Sequence, residues 1–261
     1  MHSLISVTSY ESKRYLWSGR SYFLLLTSVL PMLLFLAFTA EKARVEIVLK
    51  SLEVFQTTML VGYAFFSYLI AILVALVVVS DLIGGENALE FLVISTSRWI
   101  ILVGKIFAIL VIVLVAHFFS FLAFMSIFIA YDVPIPPLDR LLTAFIVSYC
   151  VSLVPTFVAI FSSTLTLRLN LSAHTSAYIT IFIFFVIPSI IYFSFFQVGL
   201  FEYSMFDFTI HTYVQQIIKW ILDPGTEITS HQFNFSWQLL TGLSTLIVAI
   251  SFYLFESSPI Y

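Results

Sequence analysis

The sequence predicts an all-α fold, a polytopic membrane helical bundle that forms one transmembrane domain over residues 1–261. Of the 261 residues, 61% are hydrophobic and only 10% are charged, whereas soluble domains carry about 25% charged residues. Six apolar segments reach the roughly 20 residues that cross a bilayer. Because an unpaired backbone group in hydrocarbon is costly, these segments must be helices. The alternating pattern of barrel strands is absent.

The six predicted spans lie at residues 21–40, 57–79, 100–130, 141–167, 177–197 and 237–255. The third span is longer than one crossing requires, so we expect it to tilt or to project beyond the bilayer. Three prolines, Pro31, Pro155 and Pro188, fall within or near spans. Each proline removes one backbone hydrogen bond and can kink its helix, which membrane bundles tolerate.

The basic residues favour a cytoplasmic location for both termini. With that orientation, six lysines and arginines lie on the cytoplasmic side and five on the outer side, a small excess in the direction of the positive-inside rule. The first span also follows a basic N-terminal segment, so we expect a multi-pass protein of the cell membrane. The cytoplasmic set is Lys13, Arg14, Arg20, Arg98, Lys105 and Arg168, and the outer set is Lys42, Arg44, Lys50, Arg140 and Lys219.

The loop at residues 198–236, predicted to lie outside the membrane, is long for a membrane bundle. Apolar residues recur in it at helical spacing, and Asp223-Pro224-Gly225 then ends the run as a turn. We expect a short amphipathic helix that lies on the outer membrane interface or dips into it; a loop helix that caps the bundle is equally compatible. The apolar positions are Ile210, Val214, Ile217, Ile218 and Ile221.

The predicted spans contain almost nothing ionisable. No Asp or Glu lies inside any of them, and His117 in the third span is their one deep titratable residue. Ion-coupled carriers usually keep carboxylates or histidines at this depth. If the protein transports a substrate, we therefore expect the energy to come from outside the chain. His117 is a possible member of a transport path, and a neutral, hydrogen-bonded helix contact is the alternative that we favour.

Residues 80–99 are unusual because they carry charge between two nearly uncharged runs. Residues 86–94 can form about two and a half helical turns, with Glu86, Asn87 and Glu90 on one face and apolar residues opposite. Glu86 and Glu90 repel each other at this spacing, so a basic partner on another protein would stabilise the segment. An ordinary interfacial helix that anchors the loop is the competing interpretation.

This segment resembles the cytoplasmic segment of type-2 ABC exporter permeases. Leu89-Glu90 and an apolar stretch precede Ser97-Arg98-Trp99, and Gly104-Lys105 follow. Two departures are that Ala88 stands where the family often has Thr, and that no Pro precedes Ser-Arg. The N-terminal Tyr10-Glu11-Ser12-Lys13-Arg14 is similar to the family's N-terminal connecting helix, here residues 1–20.

The resemblance implies that residues 80–99 contain a coupling helix, which in this family docks in a groove of the ATPase subunit. It implies a second permease subunit, identical or related, and a path between the two. ATP and Mg²⁺ would be bound by the partner ATPase, with no cofactor on this chain. The implied ATPase-coupling residues are Glu86, Asn87, Leu89, Glu90, Phe91, Ser97 and Arg98, and the implied start of the third span is at Gly104 and Lys105.

Several other function classes are disfavoured by the sequence. It contains no phosphate-binding Gly-x-x-x-x-Gly-Lys-Ser/Thr, no His-Glu-x-x-His and no Gly-x-Ser-x-Gly, so we expect no enzyme activity on this chain. Its net charge of −3 argues against a nucleic-acid partner, and the single Cys150 allows no intramolecular disulfide. The alternative function is a membrane scaffold or a metal-handling protein without ATP coupling, with Asp207, His211 and His231 as the candidate ligands.

Overall fold

A computed structural model of the chain describes residues 2–49, 52–83, 97–130, 134–190 and 209–258. These residues form helices and no strands, which confirms the predicted all-α class. The sixth helix contains a π-helical turn at Phe182–Val186 and continues as regular helix to residue 190. The helices are α1 His2–Leu16, α2 Arg20–Leu49, α3 Leu52–Ile83, α4 Arg98–Ala130, α5 Leu138–Arg168, α6 beginning with Ala173–Ile181, α7 Ile210–Leu222 and α8 Ser230–Glu256.

Four of these helices, α3, α4, α5 and α8, are long and apolar enough to cross a membrane. Two further apolar stretches within the described residues are shorter, Arg20–Leu34 in α2 and His174–Ile190 in α6. A bilayer core about 30 Å thick needs roughly 20 helical residues, and the four longer helices have between 27 and 33. These lengths and compositions indicate a membrane protein.

Two helix boundaries differ from those predicted from hydropathy. The helix that contains the first predicted span continues to Leu49, nine residues beyond the predicted end at Ala40. At the other end of the chain, α8 begins at Ser230, so residues 230–236, predicted to belong to the loop before the last span, are helical. A capping box explains this start, since the Thr229 hydroxyl accepts from the Gln232 N–H and the Gln232 side chain accepts from the Thr229 N–H.

The core lies between the long helices, and α3 and α5 form the largest helix pair among the described residues. Their packing is close because small residues line part of the buried surface: Ala64 and Ala75 on α3, and Ala144, Ser148 and Ser152 on α5, all have no measurable exposure. Small residues let helix backbones approach, which is how helices associate in lipid without a strong hydrophobic drive.

Charged residues collect at the two ends of the bundle. At the end that we call proximal, Arg20 pairs with Asp81 at 3.2 Å, and α1 packs against α4. At the opposite, distal end, Arg140 pairs with Glu53 at 2.9 Å. The 32 residues of α3 connect the two ends over about 48 Å, which is longer than the hydrocarbon core is thick.

The last helix is the least covered of the four long ones. Only 17% of the most apolar 18-residue window of α8 is buried, against 56–67% for the other three. A crevice of about 240 Å³ separates part of α8 from α5 and α7, and its walls include Cys150, Ile217 and Trp237. One face of α8 is therefore left for lipid or for another protein.

Candidate functional site

The predicted coupling residues fall partly outside the described part of the chain. Glu86, Asn87, Leu89, Glu90 and Phe91 lie between the described residues 83 and 97. The flanks of this interval are described on both sides. On the N-terminal flank, Asp81 of α3 contacts Arg20 at the proximal end; on the C-terminal flank, Ser97 and Arg98 open α4.

Arg98 binds the end of the last described helix. Its guanidinium donates to the carbonyl oxygens of Glu256 at 2.8 Å and of Ser258 at 2.7 Å. These carbonyls have no intrahelical partner at a helix C-terminus, where a cation is favoured by the helix dipole. The end of α8 and the start of α4 consequently lie together at the proximal end, next to both flanks of residues 84–96.

Gly104 lies in the second turn of α4 and not at its start. The prediction that Gly104 and Lys105 begin this helix is wrong, because α4 starts six residues earlier, at Arg98. Gly104 instead allows α1 to approach: a Cβ built on it would lie 2.6 Å from Val7 Cγ1 and 2.9 Å from Val7 Cβ. The Thr8 hydroxyl donates to the Gly104 carbonyl at 3.2 Å.

Lys105 connects three helices at the proximal end. Its side chain is 1% exposed, its Nζ donates to the Leu82 carbonyl in the last described turn of α3, and Glu11 Oε1 of α1 lies 3.7 Å away. We call this set of contacts (Val7, Thr8, Glu11, Gly104 and Lys105) the α1 junction. It holds α1 against α4 and ties both to the end of α3, directly before residue 84.

Glu11 is the residue of this junction that sequence patterns did not single out as a partner. It is 1% exposed, and its carboxylate oxygens make no hydrogen bond within the described residues. The compensating cations are Lys105 and Arg14, each 3.7 Å away. The available signal was Lys105 itself, because a lysine in an apolar run is seldom buried without an acidic partner.

His117 lies in the interior of the bundle and is 4% exposed. Its Nε2 is 2.5 Å from the Ser148 hydroxyl of α5 and 3.3 Å from the Tyr63 hydroxyl of α3. The Phe145 ring packs beside it at 5.2 Å between centroids. These contacts are those of a hydrogen-bonded residue that joins three helices, whereas a role in a transport path stays a prediction.

The start of α7 is buried deep between the long helices. His211 is 5% exposed, and its Nδ1 is 3.1 Å from the hydroxyl of Tyr68. Tyr68 is 16 residues after the start of α3, which places it about 24 Å along that helix. The end of α7 lies near Glu53 and Val54, at the distal end, since these residues and Lys219 line one cavity. This helix thus runs from the middle of the bundle to its distal end.

The second contact of His211 is with a π-helical turn of α6. Pro188 has no N–H to donate, and α6 forms a π-helical turn at Phe182–Val186, directly before it. The Phe184 carbonyl, in this turn, lies 2.7 Å from His211 Nε2. Since a carbonyl only accepts, Nε2 carries the proton and Nδ1 accepts from the Tyr68 hydroxyl, which is the pattern of a neutral imidazole.

Both ring nitrogens of His211 are therefore engaged, which leaves neither for a metal ion. Asp207, the second predicted ligand, lies outside the described residues, and His231 is an exposed residue in the first turn of α8. Within the described ranges, no three His, Cys, Asp or Glu residues are grouped closely enough to hold a metal.

We expect Gly104→Ala to destabilise the protein by about 1–3 kcal/mol, because the added methyl group overlaps Val7 and forces α1 away from α4. Gly242→Ala in α8 is the matched control, since its Cβ would meet nothing within 4 Å. Both changes gain the same helix propensity, so thermal melting of the purified protein isolates the overlap. Equal melting temperatures for the two variants would contradict the close approach.

Neutralising one member of the buried pair, by Lys105→Met, should cost about 3–5 kcal/mol, because Glu11 then keeps a poorly compensated buried charge. The double variant Glu11→Met/Lys105→Met should be more stable than Lys105→Met alone, since it removes that charge. Chemical denaturation of Glu11→Met, Lys105→Met and the double variant measures the coupling. Strictly additive effects would show that the two side chains do not interact.

The contacts of His211 predict a pH dependence of stability. Burial lowers the pKa of the His211 imidazole, and its contact with the Phe184 carbonyl only partly opposes this. In the unfolded chain the pKa is about 6.5, so the stabilising contribution is complete above that pH and is lost as the pH falls below it. We expect His211→Gln to reduce the fall in melting temperature between about pH 7.5 and about pH 5.5.

At the higher pH, the same variant should lose about 1–3 kcal/mol, because buried partners lose their hydrogen bonds. His231→Gln is the control, as His231 is exposed at the start of α8. It should melt like the wild type at both pH values. If His211→Gln shows the full wild-type fall on acidification, protonation of His211 does not determine it.

The sequence matches no protein-family model, and no curated protein is significantly similar to it.

Proposed function

We propose that this chain is the transmembrane permease subunit of an ABC exporter in the cell membrane, with both termini in the cytoplasm. The observation that carries the proposal is the α1 junction, where Lys105 joins α1, the last described turn of α3 and the second turn of α4. These contacts flank residues 84–96, whose sequence resembles a coupling helix. A force applied to that segment reaches α3 and α4 directly, and α1 through Lys105.

The charges on residues 86–94 suit a protein partner at this position. Glu86 and Glu90 are separated by one helical turn and repel each other. A basic groove on an ATPase subunit would remove the repulsion. In the proposed cycle, closure of the ATPase subunits on ATP pushes this segment, and the bundle moves between two arrangements. The ATP and Mg²⁺ belong to the partner, because the sequence has no motif to cradle phosphates.

The proposed complex contains two permease subunits, as a homodimer or with a related chain. The poorly covered face of α8 provides surface for such a contact, since only 17% of its apolar window is buried within one chain. In the proposed topology α2, α3, α4, α5, α6 and α8 are the six crossings. The Arg98 contacts with Glu256 and Ser258 support it, because an even number of crossings returns the C-terminus to the side of α1.

Metal handling receives less support from the contacts of its candidate ligands. Both ring nitrogens of His211 already have protein partners. The arrangement favours a structural role for His211 in holding α7 inside the bundle. Transport driven by a separate subunit remains the function that accounts for both the acidic segment and the junction behind it.

Glu90→Lys should prevent the ATPase subunit from co-purifying, because it places a like charge against the proposed basic groove. The measurement is affinity purification of the tagged chain from its native membranes. The readouts are mass spectrometry for a protein with ATP-binding motifs and the vanadate-sensitive ATPase activity of the purified complex. We expect at least a tenfold loss of both, as for about 1.4 kcal/mol or more of lost binding energy.

The control is Glu227→Lys, which makes the same charge change at an exposed position in the turn between α7 and α8, toward the distal end. It should leave co-purification and ATPase activity at the wild-type level. Retention of the ATPase by Glu90→Lys, or absence of any ATP-hydrolysing protein from the wild-type complex, would overturn the proposed function.

A further inference from the structure

We propose that a cavity at the distal end, between α3 and α7, binds a small zwitterion of the phosphoethanolamine type. The cavity has a volume of about 380 Å³, within the range of small-molecule sites. Its lining residues come from the first three turns of α3 and from the end of α7 with the turn that follows. It does not depend on ATP coupling and lies at the opposite end of the bundle from the α1 junction.

The cationic part of the cavity is Lys219, in the last turn of α7. A helix C-terminus favours a positive charge, yet Lys219 forms no ion pair within the described residues. This is notable because two carboxylates, Glu53 and Asp223, line the same cavity. The ammonium group of Lys219 is thus available to an anionic group of a ligand, and phosphate is a strong partner for it.

The acidic part is formed by two carboxylates that each make one contact, and the Glu53 side chain is 69% exposed. Glu53 Oε1 accepts from Arg140 at 2.9 Å, and Asp223 Oδ1 accepts from the Gly225 N–H at 3.0 Å. In these contacts each carboxylate uses one oxygen, and the second oxygen is left for a further donor. An ammonium group supplies three donors and a positive charge, so it matches this wall of the cavity as a phosphate matches Lys219.

The rest of the wall is apolar, with Val54, Val61 and Pro224. Val61 lies nine residues into α3, about 14 Å from its start, so the cavity extends from the charged end of the bundle toward the hydrocarbon. An ion with a single charge would be complementary to only one of the two charged parts of the cavity. A ligand with an anionic group and an ammonium is complementary to both charged parts of the cavity, and its source is either a lipid headgroup, whose acyl portion would also contact the apolar wall, or the free headgroup compound.

The test measures binding to the full chain in detergent, with three probes: phosphoethanolamine, inorganic phosphate and phosphatidylethanolamine in mixed micelles. Lys219→Gln should weaken binding of phosphoethanolamine and of phosphatidylethanolamine about tenfold, the loss of one charge-assisted hydrogen bond. Asp223→Asn keeps an acceptor for the Gly225 N–H and removes the charge. It should weaken the two zwitterions and leave inorganic phosphate unchanged or bound more tightly.

Lys13→Gln, at an exposed lysine of α1, is the control and should bind all probes like the wild type. Binding of the free compound and the lipid alike identifies the headgroup alone as the ligand; binding of the lipid only identifies the membrane as its source. Either result supports the site. It is overturned if neither zwitterion binds, if inorganic phosphate binds as tightly as phosphoethanolamine, or if Lys219→Gln binds like the wild type while thermal melting shows it folded.

Discussion

A polar group inside a bilayer must find its partner in the protein, because hydrocarbon offers none. This constraint governs the described part of the bundle. Most buried hydroxyls of the long helices donate to a carbonyl of their own helix, as Ser152 does to the Ser148 carbonyl and Thr156 to the Ser152 carbonyl. In the π-helical turn of α6, the Phe184 carbonyl accepts from His211 of a different helix. This contact helps to fix the position of α7.

The same constraint explains why the ionic contacts occupy the ends. Arg20 with Asp81 and Arg140 with Glu53 are partly exposed pairs, which contribute little to stability at a hydrated surface. Lys105 and Glu11 are the exception, since both are 1% exposed. A buried pair is weak evidence for stability but strongly restricts how its helices can be arranged. Its position beside residues 84–96 links the structural argument to the proposed coupling.

Hydropathy was sufficient to predict the helical class and the approximate position of the long apolar helices, because the bilayer imposes a length on each crossing. Hydropathy does not predict the extension of α2 to Leu49 or the start of α8 at Ser230. Both additions are less apolar than the spans they extend, with four charged residues in 41–49 and mostly polar residues in 230–236, so a hydropathy window ends before them. The Thr229–Gln232 capping box was a local signal for the second.

Local sequence patterns could not predict the contacts that define the sites. Tyr68 and His211 are separated by 143 residues, and no periodicity relates them. Pro188 indicates the loss of one helical hydrogen bond, but the contact of His211 with the Phe184 carbonyl depends on the packing of α7. The resemblance places a helix start at Gly104. Its role in the structure, the close approach of Val7, can be predicted only when the position of α1 is known.

The crevice between α5, α7 and α8 has a practical consequence for spectroscopy. Cys150, the single cysteine of the sequence, is exposed and lines this crevice together with Ile217 of α7. A nitroxide or a fluorophore can therefore be attached at one natural position, with no other thiol to remove. Such a label would lie on α5 beside α7, and changes in its mobility would record whether α7 shifts while the protein works.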